Sequence, residues 1–374
     1  MQVSVLQEHL AKGLDTIARA VAARPTIPIL GNVLITTEDG RLKLAATNLE
    51  IAITTQLSAI VDVDGETSVP ARLLTDLVKS LPARQIDLRL EGNKLKLDCN
   101  GNTWELPTIR ASDFPAIPEA DTRDAVEVPA ATLRLMIDQV TFSAAKEDNR
   151  PVLMGVLTRF EGTRATMIAA DGYRMAMRTA DLERPVDKPL SLLIPATALN
   201  EVGRLIRSED GTVYISTLGG RNQVIFHHNN VDIVSQLIEG KFPEVEQLIP
   251  KAAATSTRFT LLDFLAACKR AEIFARDVNG MTHFKISNSG EVIVNAQASG
   301  GGGQEKLAAE VTGNNIDIAF NVRYLIDVLS VLQTERVVLE INGTNAPGVV
   351  RPLQEDGSID PNFVYLVMPM SVLR

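Results

Sequence analysis

The chain has 374 residues, of which 45% are hydrophobic and 22% are charged, and its formal net charge at pH 7 is −9. This composition is typical of a globular protein, and the length exceeds what one hydrophobic core usually organises, so two or three domains are expected. The acidic balance argues against tight non-specific binding of nucleic acid, because such binding depends on clustered Lys and Arg side chains.

Two further features of the sequence point to the cytoplasm. No segment is long and apolar enough to span a bilayer, and residues 1–5 lack the basic and then apolar layout of a signal peptide. The two cysteines, Cys99 and Cys268, stand in mostly apolar surroundings, which favours buried thiols over a disulfide or a zinc site. The sequence therefore predicts a cytoplasmic protein that does not enter a membrane.

The first third of the chain predicts two helices and seven strands. A strand at residues 2–6 leads into a helix whose apolar side chains are Leu6, Leu10, Leu14, Ile17 and Val21. A second helix is predicted at residues 69–81. The other strands are predicted at residues 33–37, 42–46, 51–59, 86–91, 94–99 and 103–107, separated by turn-forming residues.

The second of these helices recurs twice, and this recurrence indicates how the chain is organised. The related segments begin at Val69, Ile194 and Phe320, so they lie 125 and 126 residues apart. A repeat of this length indicates a domain copied in tandem. Each copy has apolar or small residues at positions i, i+3, i+4 and i+7: Leu74, Leu77, Val78 and Leu81, then Leu199, Val202, Gly203 and Ile206, then Leu325, Val328, Leu329 and Leu332.

The other elements recur in the same order. The second copy has a helix with Leu133, Met136, Ile137 and Val140 on one face and then a strand at residues 153–160, and the third copy has its first helix at residues 259–275. The run Gly300 to Gly303 is predicted to be a flexible hairpin tip, because it lacks the Gly-Lys-Ser/Thr ending of a phosphate-binding loop. Asn321 is predicted to cap the last helix.

These elements lack the strand–helix–strand rhythm of a parallel sheet. The predicted fold class is therefore α+β, with two helices packed on antiparallel sheets in each of three tandem copies. The expected domains are residues 1–124, 125–252 and 253–374.

Chemistry typical of an enzyme is not found in the sequence. We find no nucleophile with its base, no metal-binding constellation and no cofactor loop, so no catalytic residue, metal or cofactor is predicted. The adjacent His227 and His228 would point to opposite faces of a strand and could not share a metal. Asp171 and Arg174 could form a catalytic pair, but a turn with a local ion pair is the commoner arrangement. An enzyme with its site at a domain junction remains the alternative.

The charge is unevenly distributed along the chain. The six predicted helical stretches carry a net charge of +4, whereas the remaining residues carry −13. Repeated domains that turn a mildly basic helical face in one direction could hold a polyanion through weak contacts that carry no sequence information. Retention would then have to come from a closed shape, such as a ring of tandem domains.

Several motifs, in this order, resemble the bacterial DNA polymerase III β subunit family of sliding clamps from end to end. They are Arg24-Pro25-Thr26-Ile27-Pro28-Ile29-Leu30-Gly31-Asn32, Val69-Pro70-Ala71-Arg72, Ala170-Asp171-Gly172-Tyr173-Arg174, Gly240-Lys241-Phe242-Pro243, Phe320-Asn321-Val322 and Val367-Met368-Pro369-Met370. The resemblance implies a non-catalytic processivity factor. It also implies a head-to-tail homodimer whose six clamp domains form a ring around double-stranded DNA, with Arg24, Arg72 and Arg150 near the DNA. Each of these arginines could equally be an ordinary solvated side chain.

The resemblance also implies two protein-binding surfaces. At the dimer interface, Trp104 and Leu106 of the first domain would face Ile273 and Phe274 of the third, although a single tryptophan is more often a core residue. A peptide-binding cleft would receive short motifs of the polymerase III catalytic subunit, the clamp loader, other polymerases and repair proteins. Its residues would be Leu153, Gly172, Tyr173, Arg174, Met175, Pro243, Gln247, Leu248, Val367, Met368, Pro369 and Met370. A monomeric three-domain scaffold that binds peptides but not DNA is a second alternative.

Overall fold

The structure is a computed structural model that describes residues 1–147, 150–206, 210–218 and 222–371. Within these residues the helices are α1 (Gln7–Ile17), α2 (Ala71–Ser80), α3 (Ala130–Val140), α4 (Ala196–Leu205), α5 (Leu261–Ala275) and α6 (Val322–Val331). Among the described residues, none of these helices has the length and apolar character needed to cross a membrane.

Twenty-four strands account for most of the remaining chain that the structure describes. In chain order they are β1 (Gln2–Leu6), β2 (Asn32–Glu38), β3 (Arg41–Thr47), β4 (Ile51–Ser58), β5 (Ile60–Val63), β6 (Glu66–Pro70), β7 (Gln85–Glu91), β8 (Lys94–Cys99), β9 (Asn102–Pro107), β10 (Val126–Pro129), β11 (Gly155–Ala170), β12 (Arg174–Pro195), β13 (Thr212–Thr217), β14 (Gln223–His228), β15 (Val231–Gln236), β16 (Thr255–Thr260), β17 (Met281–Ile286), β18 (Glu291–Ala298), β19 (Gly301–Ala308), β20 (Glu310–Gly313), β21 (Ile316–Asn321), β22 (Arg336–Ile341), β23 (Gly348–Leu353) and β24 (Phe363–Val367).

The chain divides into two compact units, each with two antiparallel sheets. Residues 1–133 and 197–237 form the first unit, with a five-stranded sheet in the order β5-β1-β7-β8-β9 and an eight-stranded sheet in the order β10-β13-β14-β15-β4-β3-β2-β6. Residues 134–196 and 238–374 form the second, with sheets in the orders β11-β12-β24-β23-β22-β16-β20 and β19-β18-β17-β21. The wholly antiparallel pairing confirms the predicted α+β class.

The two units do not coincide with the three sequence copies, because two sheets join strands of neighbouring copies. In the first unit β15 pairs with β4, with Ile233 opposite Ile53. In the second unit β12 pairs with β24, with Ala176 opposite Tyr365. An edge strand with unpaired backbone groups gains a partner in this way, so hydrogen bonding continues across the copy boundary.

The helices bury the faces that their sequence periodicity predicts, with one correction in α1. Leu10, Leu14 and Ile17 are almost completely buried. Leu6, however, belongs to β1 and is 51% exposed, and α1 ends at Ile17, before Val21. The prediction of a longer helix was wrong because an apolar residue at each end happened to continue the helical spacing into the neighbouring segments.

The repeated helix is best defined in its third copy. Leu325, Val328, Leu329 and Leu332 of the α6 region are all buried in the core of the second unit. That core also contains stacked Phe259 and Phe264 rings, whose centroids are 4.2 Å apart. The corresponding residues of the other copies, Leu74 and Val78 in α2 and Leu199 and Val202 in α4, are also buried. The apolar pattern therefore faces a core in all three copies.

Two other predictions were wrong in their boundaries. The strand predicted at residues 153–160 begins at Gly155, because the segment Pro151–Met154 forms a 3₁₀ turn that begins with proline. The glycine run is not only a hairpin tip, since Gly301, Gly302 and Gly303 are the first residues of β19 and pair with β18. A Cβ atom at residue 303 would lie 3.0 Å from the Phe274 ring, so the absence of a side chain lets this ring pack against the strand.

Asn321 provides the side-chain cap that the sequence predicts for α6. Its Oδ1 accepts a hydrogen bond from the backbone N–H of Arg323 at 3.1 Å. Replacing Asn321 with alanine is expected to lower the free energy of unfolding by about 1 kcal/mol, because an N–H at the helix start loses its partner. Chemical denaturation would measure this change, with the exposed Gln333→Ala as a control that should stay within about 0.5 kcal/mol of the unmodified chain. An equal change in both variants would contradict the capping role.

Candidate functional site

A short turn between β11 and β12 forms the centre of the candidate site. The Asp171 carboxylate accepts hydrogen bonds from the backbone N–H groups of Tyr173 at 2.8 Å and Arg174 at 3.0 Å. Gly172 has a φ of 93°, which an L side chain rarely adopts. Asp171 and Arg174 therefore form a turn with a local ion pair, which is the commoner of the two arrangements considered from the sequence.

The Arg174 guanidinium is buried and held on several sides. It donates to Asp171 Oδ2 at 3.0 Å, to Asp327 Oδ2 at 2.5 Å and to the backbone oxygen of Phe142 at 2.8 Å. Its carbon atom lies 4.5 Å from the centre of the Tyr324 ring. Burial is the largest single effect and lowers the pKa of Arg174, but Tyr365 and the carboxylates of Asp327 and Asp171 together raise it above its already high value.

The end of the described chain lies against this turn. In the pairing of β12 with β24, Arg174 stands opposite Val367. Beyond β24, the backbone N–H of Met368 donates to the oxygen of Tyr173 at 2.8 Å, and the N–H of Met370 donates to the oxygen of Ala319 at 2.8 Å. The segment 368–370 is thus hydrogen-bonded at one end to the turn and at the other to β21.

An apolar floor with an exposed rim lies beside the turn. Leu153, Met175 and Phe242 are buried in one hydrophobic cluster. Tyr173 is 63% exposed, and exposed positions are also found among the predicted cleft residues Pro243, Gln247, Leu248 and Met368. Pro369 and Met370 are half-buried, whereas Val367 is fully buried and contributes backbone pairing rather than accessible surface. Exposed apolar side chains in segments that border a buried apolar cluster are typical of a protein-binding surface.

A cavity of about 610 Å³ adjoins the turn and includes residues that the sequence analysis missed. Leu153, Tyr173 and Arg174 line it together with Tyr324 and Asp327 of α6. The sequence did contain a signal for Tyr324 and Asp327. Like Arg323, they fall between the apolar positions of α6 and must therefore lie off its buried face.

The three arginines predicted to lie near DNA have different surroundings. In the first unit, Arg24 is exposed, and the Arg72 side chain is 95% exposed with its Nε 3.8 Å from Asp76 Oδ2. In the second unit, Arg150 is exposed and lines the cavity beside the turn. Its guanidinium lies so close to Gly172 that a Cβ atom there would be 3.3 Å from a terminal nitrogen.

The four residues predicted at a dimer interface differ in accessibility. Ile273 and Phe274 on α5 are 60% and 38% exposed. Trp104 on β9 is half-buried, but Leu106 is only 1% exposed. The Leu106 side chain packs into its own unit and offers no accessible surface in the single chain, so its place at an interface stays a prediction. The strand that carries it, β9, is nevertheless the edge of its sheet.

The part of the chain that the structure describes does not assemble a metal-binding group. In the ranges that the structure describes, no three His, Cys, Asp or Glu side chains group as metal ligands would. Cys99 and Cys268 are free and buried, and burial raises the pKa of the Cys268 thiol far above its usual value. His227 lies 2.5 Å from Asp232, which raises the pKa of the imidazole, whereas His228 is buried and contacts the Thr212 oxygen.

Comparison with known proteins identifies the family. Models of the DNA polymerase III beta subunit match three consecutive parts of the chain: its N-terminal domain at residues 1–118, its central domain at 127–244 and its C-terminal domain at 246–371. The chain belongs to the DNA polymerase III beta subunit family. This confirms the resemblance noted in the sequence and the fold of three tandem clamp domains.

Individual relatives of this beta subunit are similar over its full length. The beta sliding clamp of Pseudomonas aeruginosa is 31% identical over 99% of this chain and 100% of its own length. A crystal structure of a sliding clamp from that species, bound to griselimycin, has a TM-score of 0.92 at 30% identity and covers 100% of both chains. The Bacillus subtilis sliding clamp, at 24% identity and a TM-score of 0.94, supports the fold alone and covers 100% of this chain and 99% of its own. Because the curated relatives are named sliding clamps, the prediction of a non-catalytic replication protein is confirmed.

Proposed function

We propose that two copies of this chain assemble head to tail into a ring around double-stranded DNA and tether the replicative polymerase there. The observation that carries the proposal is the full-length similarity to sliding clamps together with the threefold copy of one domain. We propose the domain limits 1–124, 125–252 and 253–374, so that a dimer would contain six domains. The ring would act in the cytoplasm.

The seam of this ring would form between two sheet edges. Both β9 and β19 are end strands of their sheets, so each has backbone groups that a second chain could pair with. We propose that they meet with Trp104 of one protomer near Ile273 and Phe274 of the other. Exposed apolar side chains next to open strand edges support this choice, and Leu106 would contribute through its backbone.

DNA would be held by weak contacts with the helical faces. Arg24, Arg72 and Arg150 are exposed, and the predicted helical stretches carry the positive part of an unevenly distributed charge. Contacts with phosphates alone carry no sequence information, and a few of them can break and re-form as the protein slides. The ring, rather than the strength of these contacts, would keep the protein on DNA.

The cleft at the 171–174 turn would bind short peptide motifs. We propose as its partners the polymerase III catalytic subunit, the clamp loader, other polymerases and repair proteins. Tyr173, Leu248 and Met368 give it an exposed apolar rim, and flexible methionines suit a surface that accepts several peptides. Because a relative has been crystallised with griselimycin, we further propose that griselimycin binds this cleft.

Retention on circular DNA tests the ring. The protein, loaded with its clamp loader and ATP onto nicked circular DNA, is expected to stay on the circle during gel filtration and to dissociate when a restriction enzyme linearises it. A ring slides off free ends, whereas a protein bound in an open groove does not depend on them. Equal retention on circular and linear DNA of the same sequence would contradict the proposal, and blocking both ends with bound protein should restore retention.

A further inference from the structure

The buried Arg174 is poorly placed to bind a ligand directly. Its side chain is only 5% exposed, and its Nε and both terminal nitrogens donate to groups of the same chain. Phe142 and Tyr324 lie near the guanidinium, with ring centres 5.6 Å and 4.5 Å from its carbon. Three of its five N–H groups are engaged within the chain, so its main effect on the cleft is expected to come from the segments that it holds together.

The groups that hold Arg174 come from three separate segments. Asp171 belongs to the turn itself, Phe142 lies in the 3₁₀ turn Thr141–Ser143, and Asp327 belongs to α6. Asp171 is 15% exposed, whereas Asp327 is 42% exposed and approaches from the side of the cavity. Asp327 therefore joins α6 to the turn and at the same time lines the cavity beside it.

These contacts close a circuit of hydrogen bonds around the cleft. The turn binds the terminal segment through Tyr173 and Met368, and the terminal segment binds β21 through Met370 and Ala319. The strand β21 leads directly into α6, and Asp327 on α6 returns to the turn through Arg174. The Asp327 carboxylate thus adds a second link between α6 and this region, beside the Tyr365 hydroxyl of β24, which donates to the backbone oxygen of Tyr324 at 2.9 Å.

We propose that Asp327 is a positioning residue of the peptide cleft, which acts through Arg174 to set the distance between Tyr173 and the segment Met368–Met370. This inference rests on the proposed cleft function. The role does not require the carboxylate to touch the bound ligand. Its contribution is to keep the rim in the arrangement that binds, so that less freedom is lost when a ligand arrives.

Titration of griselimycin into the full-length chain tests this role. Asp327→Asn is expected to weaken binding about tenfold, because the ion pair with Arg174 is replaced by a hydrogen bond in which only the guanidinium is charged. Asp327→Glu, which keeps the charge, should restore most of the affinity. Asp317→Asn is the matched control, since Asp317 is a 55% exposed carboxylate of the same unit that does not line the cavity.

A double-mutant cycle separates positioning from a general loss of structure. In the Arg174→Lys background, Asp327→Asn should have little further effect, because the partner through which it acts has already been changed. An independent tenfold loss in that background, or unchanged binding by Asp327→Asn alone, would overturn the inference. Thermal unfolding of each variant checks that the chain remains folded.

If the assignment of the cleft itself is wrong, the binding measurements should differ in a way that identifies this. If binding is lost in Met368→Ala with Met370→Ala but unaffected by Asp327→Asn, the cleft stands and only the positioning role is overturned. If the unmodified chain does not bind griselimycin, or if the two methionine changes leave binding intact, the assignment of the cleft is overturned and the role of Asp327 with it.

Discussion

Replacing Ile273 and Phe274 together with alanine is expected to leave a folded monomer under conditions in which the unmodified chain is a dimer. Both side chains are exposed in the single chain, at 60% and 38%, so their burial at a seam would favour association. At about 1 kcal/mol per side chain, and with two identical seams in a ring, the loss is about 4 kcal/mol, or roughly a thousandfold rise in the dissociation constant. Sedimentation equilibrium at micromolar concentration would measure it.

The opposite edge of the five-stranded sheet supplies a control for the seam. Ile60 on β5 is 65% exposed, so it offers a similar apolar surface on the edge away from β9. Ile60→Ala should leave the dimer unchanged. A dimer that survives the paired change on α5, or an unmodified chain that sediments as a monomer, would rule out this seam.

Replacing Met368 and Met370 together with alanine is expected to weaken the binding of client peptides and of griselimycin about 30-fold. Each methionine would lose about 1 kcal/mol of apolar contact with the ligand, and their combined loss corresponds to that factor. The backbone bonds of Met368 to Tyr173 and of Met370 to Ala319 do not need the side chains, so the segment should keep its place. Isothermal titration with a peptide that spans the clamp-binding motif of the polymerase III catalytic subunit would measure the change.

The cleft assignment also requires that the dimer be unaffected. The double methionine variant should sediment like the unmodified chain. Leu262→Ala is a useful control, because Leu262 is 73% exposed on α5 and does not line the cavity. If the two variants bound the peptide equally well, the side chains of Met368 and Met370 could not form part of the cleft.

The sequence predicted the helices and most strands correctly because their signals are local. The i, i+3, i+4, i+7 spacing in α6 requires only neighbouring residues, and so does the cap that Asn321 provides. Boundaries were predicted wrongly where the same local signal continued into a different element. Leu6 extends the apolar spacing of α1 although it belongs to β1, and residues 153–154 read as strand although they complete a 3₁₀ turn.

The candidate cleft was predicted in part. The resemblance to a family named its residues, and the structure brings Leu153, Met175 and the 368–370 segment next to one turn. Periodicity alone could not have related Arg174 to Asp327, because 153 residues separate them and neither belongs to an apolar pattern. The burial of Leu106 could not be predicted either, since the alternation of a strand does not reveal which of its two faces meets the core.

Local pattern and repetition were therefore sufficient for the number of copies, the α+β class and the position of each repeated helix, because helical periodicity and turn chemistry act over a few residues. Tertiary structure alone decided which strands pair across the copy boundaries, that Arg174 is enclosed by Asp171, Phe142 and Asp327, and that Leu106 faces inward. These features depend on contacts between segments distant in sequence, and such contacts are selected by the burial and hydrogen bonding of the whole unit.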